Sequence, residues 1–191
     1  MKQKKLRLFG LLLAAAMLLG CLPVQALAAE GGWFYLAADW NGTLLIAPER
    51  ISYTADQTLY EALNASGHSF GPDENSVTQI DGKTGNFIRS DETGSHDLTR
   101  NAAQAGIRYL CFTDRLTAQP SDAMQSLIAA MADYRLEEPD VQLAAQAAYN
   151  AACAGYVTAD DNAALSLYTA LHNAVEQYKQ TLDGPKYNVT F

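Results

Sequence analysis

An α+β fold is what this sequence predicts, with strands and a helix in its first half and helices alone in its second. Three observations carry the expectation. Over residues 33–115 the apolar side chains alternate or stand in short blocks, punctuated by Gly, Asn and Asp, as strands and tight turns require. Over residues 120–183 they recur at three- and four-residue spacing in an Ala-rich background, which is helical period. Ahead of both lies a segment that reads as an export signal.

That segment has three parts in order. Met1 to Arg7 is basic, Leu8 to Leu19 is a short apolar stretch, and Ala26-Leu27-Ala28 is the small-x-small pattern for cleavage between Ala28 and Ala29. Leu18-Leu19-Gly20-Cys21 resembles a bacterial lipobox, so lipidation at Cys21 is the competing reading. The small-residue tail that follows Cys21 favours ordinary cleavage. Either route places the protein outside the cytoplasm, secreted or on the cell surface.

Residues 1–28 hold four of the 13 Lys and Arg and none of the 21 Asp and Glu, so the mature chain has 163 residues and its formal charge moves from −8 to −12. Such an acidic chain repels phosphate, which argues against nucleic acid and anionic lipid as partners. No apolar run of about 18 residues follows the signal, so no later membrane insertion is expected.

The first half is read element by element. Residues 33–39 and 43–47 are strands around Asn41-Gly42, a pair that favours the type I′ hairpin turn, and residues 49–54 extend the second strand. Leu59, Ala62 and Leu63 then share one helix face; Thr54 or Asp56 can cap its start, and Gly67 its end. Residues 76–82 and 85–90 read as two strands joined around Asp81-Gly82. A polar stretch and a short helix over 98–106 lead to Ile107–Asp114, almost continuously apolar and therefore an interior strand. Strand, strand, helix, strand, strand, small helix, strand is the order of a β-grasp (ubiquitin-like) domain, assigned to residues 29–118.

The string from Thr58 to Gly67, followed by Val77–Phe87 with its Ile80-Asp81-Gly82 strand end, also resembles small β-grasp modules of secreted bacterial surface proteins. Many of those modules carry a later Trp-aromatic-Val-Asn segment, where this chain has Tyr109-Leu110-Cys111-Phe112. The resemblance implies non-covalent recognition by an exported domain.

Residues 119–184 are expected to form a three-helix bundle. Pro120-Ser121-Asp122 opens the first helix, with Met124, Leu127, Ile128 and Met131 on one stripe. Pro139 opens the second, with Val141, Ala145, Ala148, Tyr149 and Ala152 inward, and Gly155 stops it. The third follows a capping pattern at 158–161 and carries Tyr168, Leu171, Val175, Tyr178 and Leu182 as its seam. In size and composition the bundle resembles helical spacer modules of Gram-positive surface proteins. Residues 185–191 alternate as a terminal strand, read as the start of a further domain, with a return to an edge of the first sheet as the alternative.

Few residues offer chemistry. Trp33, Tyr35 and Trp40 cluster around the first hairpin and are the candidate binding residues, because aromatic platforms take sugars and peptides outside cells; Trp33 and Tyr35 share a strand face. Cys111 and Cys153 remain after signal cleavage and are a candidate disulfide in an oxidising compartment. Gly67-His68-Ser69-Phe70-Gly71 resembles the nucleophile elbow of α/β-hydrolases, but a helical pattern precedes it where a strand is needed. His96 or His172, with Asp97 or Asp114, would have to complete such a site.

The three histidines have no partner at i+3 or i+4, and the acidic loops lack calcium-loop spacing, so neither metal nor cofactor is expected. Gly82-Lys83-Thr84 lacks the leading glycine of a phosphate loop. The expectation is therefore an exported, non-catalytic binding or adhesion module for an extracellular glycan or protein. A structural spacer within a longer surface protein is the alternative, and a hydrolase through Ser69 the remote one.

Overall fold

A computed structural model describes residues 31–94, 97–114 and 119–182. The segment expected to direct export, with Cys21, Ala28 and Ala29, together with His96 and the expected terminal strand at 185–191, lies outside the described residues.

The fold is α+β. Strand β1 (Gly32–Trp40) turns into β2 (Thr43–Tyr53) through Asn41 and Gly42, both at positive φ (49° and 75°), which is the conformation a type I′ turn demands. β2 continues through Pro48, which falls in an irregularity of its pairing with β1 between Ile46 and Glu49; a bulge on an edge strand accommodates the missing N–H.

Helix α1 (Leu59–Ala65) follows. Its cap is Thr58, one of neither expected pair: the Thr58 side chain accepts from the Glu61 N–H, and the Glu61 carboxylate accepts from the Thr58 N–H, a complete capping box. Leu59, Ala62 and Leu63 are wholly buried, as their spacing predicts.

The middle of the first half differs from the expectation. β3 (Phe70–Asp73), β4 (Ser76–Ile80) and β5 (Lys83–Thr84) form a separate three-stranded antiparallel sheet. The Asp81-Gly82 turn is present, again with both residues at positive φ, but it joins β4 to Lys83–Thr84. The segment expected as its partner instead becomes β6 (Ile88–Ser90), which pairs with β7 (Tyr109–Thr113) in the main sheet. β3 contains Gly71 and Pro72, which hide a strand from a propensity reading. Between β6 and β7 lies the single-turn helix α2 (Ala102–Ala105), capped by Asn101 and ended by Gly106 at φ 64°.

The main sheet has strand order β2-β1-β7-β6; its central pair, β1 and β7, is parallel, and both outer pairs are antiparallel. Both faces of the central strands are buried. Leu36, Ala38, Leu110 and Phe112 face a core with α1, Phe70, Ile80 and Phe87. Ala37, Tyr109 and Cys111, the intervening positions, face a second core made with the helices of the second half. That is why all five residues of β7 are buried.

Those helices are α3 (Asp122–Tyr134), α4 (Pro139–Gly155) and α5 (Asp161–Leu182), with a 3₁₀ turn at Tyr156–Thr158. Ser121 caps α3, Pro139 stands at the start of α4, and the Asp160 carboxylate accepts from Ala163 N–H at the start of α5. α3 lies against β2 and β1, and α5 packs along both α3 and α4.

The inward stripes agree with their spacing, since Leu127, Ile128, Met131, Ala152 and Leu171 are fully buried. The seam of α5 ends early, because Leu182 is exposed. Strands and helices thus share the second core, and the described residues form one compact unit.

Candidate functional site

The three aromatic residues around the first hairpin do not form one group. Trp33 and Tyr35 share a face, as alternation requires, with ring centroids 4.9 Å apart. Trp40 has the opposite parity and stands at the far end of β1. Its indole packs on Phe87 at 4.9 Å, beside the first core, and lies directly on the backbone of Gly85. Trp40 is a packing residue of the apolar side, whereas Trp33 is exposed over 42% of its surface.

Trp33 and Tyr35 acquire two partners that sequence reasoning missed. Arg50 stands directly opposite Tyr35 on β2, and its guanidinium carbon sits 3.9 Å from the centre of the Trp33 ring and 5.9 Å from that of Tyr35. Asp133, from α3, pairs with Arg50 Nε at 3.0 Å and accepts from the Tyr35 hydroxyl at 3.3 Å to each oxygen.

Burial, and next the Asp133 charge, raise the Tyr35 phenol above its ordinary value, while the contact with Arg50 opposes them. The phenol therefore stays a neutral donor at physiological pH. The cross-strand register is the signal that could have found Arg50; nothing local in the sequence points to Asp133.

Two grooves adjoin this cluster and share Ser126 and Ala129 of α3. One, of about 410 Å³, lies between α3 and α5 and includes Asp133, Tyr168, His172 and Lys179. The other, of about 320 Å³, includes Tyr35, Arg108, Tyr109 and Gln125. In the first groove the His172 ring stacks on Tyr168 at 5.5 Å, and Lys179 pairs with Glu137 at 2.6 Å. An exposed indole, a fixed guanidinium, a phenol and a carboxylate beside shallow grooves suit stacking and hydrogen bonding to a polar ligand.

The serine of the elbow-like motif stands on the reverse arrangement, after a helix and immediately before β3. Its neighbour His68 sits between two carboxylates: Nδ1 is 2.6 Å from Asp81 Oδ2, and Nε2 is 2.8 Å from Glu49 Oε1. Arg135 pairs with the other oxygen of Glu49 at 2.8 Å, and the Ser69 N–H donates to Asp81. Both ring nitrogens are engaged, so neither is free to accept a proton from Ser69. This network ties the α1–β3 connection, the β4–β5 turn, β2 and the end of α3 together. Asp114 accepts from the Asn41 N–H at the first hairpin.

Cys111 and Cys153 are free thiols in this structure. Cys111 is buried against the helices; burial pushes its thiol up to about 12, with the nearby Asp39 charge adding to the shift. Burial likewise raises Cys153, against a hydrogen bond with Tyr149. Among the described residues no group of three or more His, Cys, Asp or Glu is placed to hold a metal ion, and no helix is long and apolar enough to cross a membrane.

Comparison of the chain with protein-family models, with curated proteins and with solved structures finds no match in any of the three.

Proposed function

We propose that this is an exported, non-catalytic binding module that recognises an extracellular glycan or protein through the Trp33–Tyr35 surface and the grooves beside α3. The observation that carries the reading is Trp33 itself. A large indole is left exposed on a strand whose other aromatic and aliphatic residues are packed, with the Arg50 guanidinium over one of its faces and Asp133 paired to that guanidinium. Such a surface binds by stacking and hydrogen bonding and needs no cofactor.

The architecture we assign is a β-grasp domain joined to a three-helix bundle. The β2-β1-β7-β6 order, the parallel central pair and the helix after β2 support the first part, and α5 lying along α3 and α4 supports the second. The likeness to modules of bacterial surface proteins rests on the helix beginning at Thr58 and on the Ile80-Asp81-Gly82 strand end. Export rests on the three-part segment before Ala29.

A spacer role within a longer surface protein is the second reading. One observation favours it: Arg50 already covers one face of Trp33.

The test is retention of the purified protein on immobilised cell-wall polysaccharide and on extracellular matrix proteins, compared with Trp33→Ala. Retention that the substitution abolishes supports the binding module. No retention, or retention unchanged by the substitution, leaves the spacer. The intact mass of the protein recovered from the secreting cell tests export, through a chain beginning at Ala29 or a lipid on Cys21.

A further inference from the structure

On the other side of the main sheet, a cavity of about 330 Å³ lies near the β4–β6 region, with Phe87, Leu98 and Phe112 among its apolar lining and Asn75, Thr78 and Asn86 among its polar lining. Arg89 of β6 lines it as well. Arg89 is paired in register with Phe112, so its side chain stands on the apolar face of the sheet. That side chain is only 6% exposed.

The guanidinium is incompletely matched. Nη2 donates to Asp91 Oδ2 at 3.0 Å, while Nε and Nη1 are buried with no hydrogen-bond partner. Asp91 cannot supply more, because its other oxygen already accepts from the Thr93 N–H and hydroxyl, both at 2.7 Å. Burial draws the Arg89 pKa down against the pull of Asp91, as expected for a charge that its surroundings only partly compensate. Buried donors without acceptors are rare in folded proteins and mark places where something else supplies the acceptor.

We propose that this cavity binds a small carboxylate bearing an apolar group, with Arg89 Nε and Nη1 donating to the carboxylate and the apolar group resting on Phe87, Leu98 and Phe112. Three features select this chemistry. The free donors belong to a guanidinium, which binds carboxylates through charge-assisted hydrogen bonds. The lining beside them is apolar. Glu74 also lines the cavity, and its charge disfavours a dianion such as phosphate. The ligand is either a free apolar acid or the C-terminal carboxylate of a peptide. The site is separate from Trp33 and does not depend on the function proposed above.

The experiment is calorimetric titration of the full chain with N-acetyl-phenylalanine and with its neutral amide. In parallel, a short peptide ending in phenylalanine is compared as free acid and as C-terminal amide. The acid is expected to bind roughly tenfold or more tightly than the matching amide, the loss of one charge-assisted contact. Arg89→Gln should abolish the difference. Binding of the peptide acid but not the small acid identifies a chain terminus as the source; the converse identifies a free acid.

Equal affinity for acid and amide, or binding of neither, overturns the proposal and leaves the two Arg89 donors unmatched. The acid–amide comparison on the unmodified protein decides the matter even if Arg89→Gln does not fold. Trp33→Ala should leave this binding unchanged.

Discussion

Arg50 lies over Trp33, with its guanidinium carbon 3.9 Å from the ring centre, and Asp133 of α3 holds it there through Nε at 3.0 Å. One cation therefore links the exposed indole, the strand beside it and the helix that covers the sheet. Arg50→Ala removes a partly exposed cation–π contact and an ion pair, and should lower stability by only ~0.5–1 kcal/mol in urea unfolding. Ligand retention through Trp33 should change more than stability does, because the freed face of the indole is newly accessible.

Gly85 has no room for a side chain. A Cβ there would come within 2.4 Å of the Trp40 ring carbon Cζ2. Gly85→Ala should destabilise the fold by about 1–3 kcal/mol, as overpacking does, and should shift the emission of the half-buried Trp40. Gly42→Ala has open space around its Cβ but a φ of 75°, so its cost comes from backbone strain alone. The two substitutions should therefore differ in tryptophan emission, measured alongside urea unfolding.

Removing residues 119–191 would uncover Ala37, Tyr109 and Cys111 on the central strands. The remaining fragment should bind a hydrophobic dye and self-associate rather than behave as a folded monomer, which size-exclusion chromatography would reveal. A milder version is Leu171→Ala, which truncates a fully buried side chain of α5 and should cost about 2–5 kcal/mol.

The buried thiol of Cys111 sets an alkaline limit. Its pKa rises from 9.0 to about 12 on folding, so the folded state favours the neutral thiol. The associated stability is fully present below pH 9 and is lost as pH climbs towards 12, when the unfolded chain ionises first. Cys111→Ala should flatten that part of the stability–pH curve. Alkylation at neutral pH followed by mass measurement should leave Cys111 unmodified until denaturant is added, since the thiolate is the reactive form.

Much of the fold was legible in local pattern. Leu59, Ala62 and Leu63 announced one helix face, and Asn41-Gly42 and Asp81-Gly82 announced tight turns, because such turns need residues that tolerate positive φ. Pro139 and Gly155 marked the ends of α4, whereas the cap of α5 falls on Asp160 and not on Thr158, which the capping pattern at 158–161 named and which lies in the 3₁₀ turn. β3 was not legible, since its Gly71 and Pro72 carry turn signals that only pairing with β4 overrides. The candidate site was half legible. Alternation put Trp33 and Tyr35 together, but mere nearness in sequence placed Trp40 with them, although its parity sends it to the other face.

The sequence by itself determined the period of each half and the turns that reverse the chain, all of which depend on residues within a few positions of one another. Tertiary structure alone decided that the helices cover the second face of the sheet. It also brought Asp133 to Arg50 and Tyr35, enclosed His68 between Glu49 and Asp81, and buried Arg89 with two donors unmatched. Those relationships join residues as far as 98 positions apart, and no local propensity encodes such a distance. They arise because burying apolar surface on both faces of β1 and β7 fixes where every attached polar group must stand.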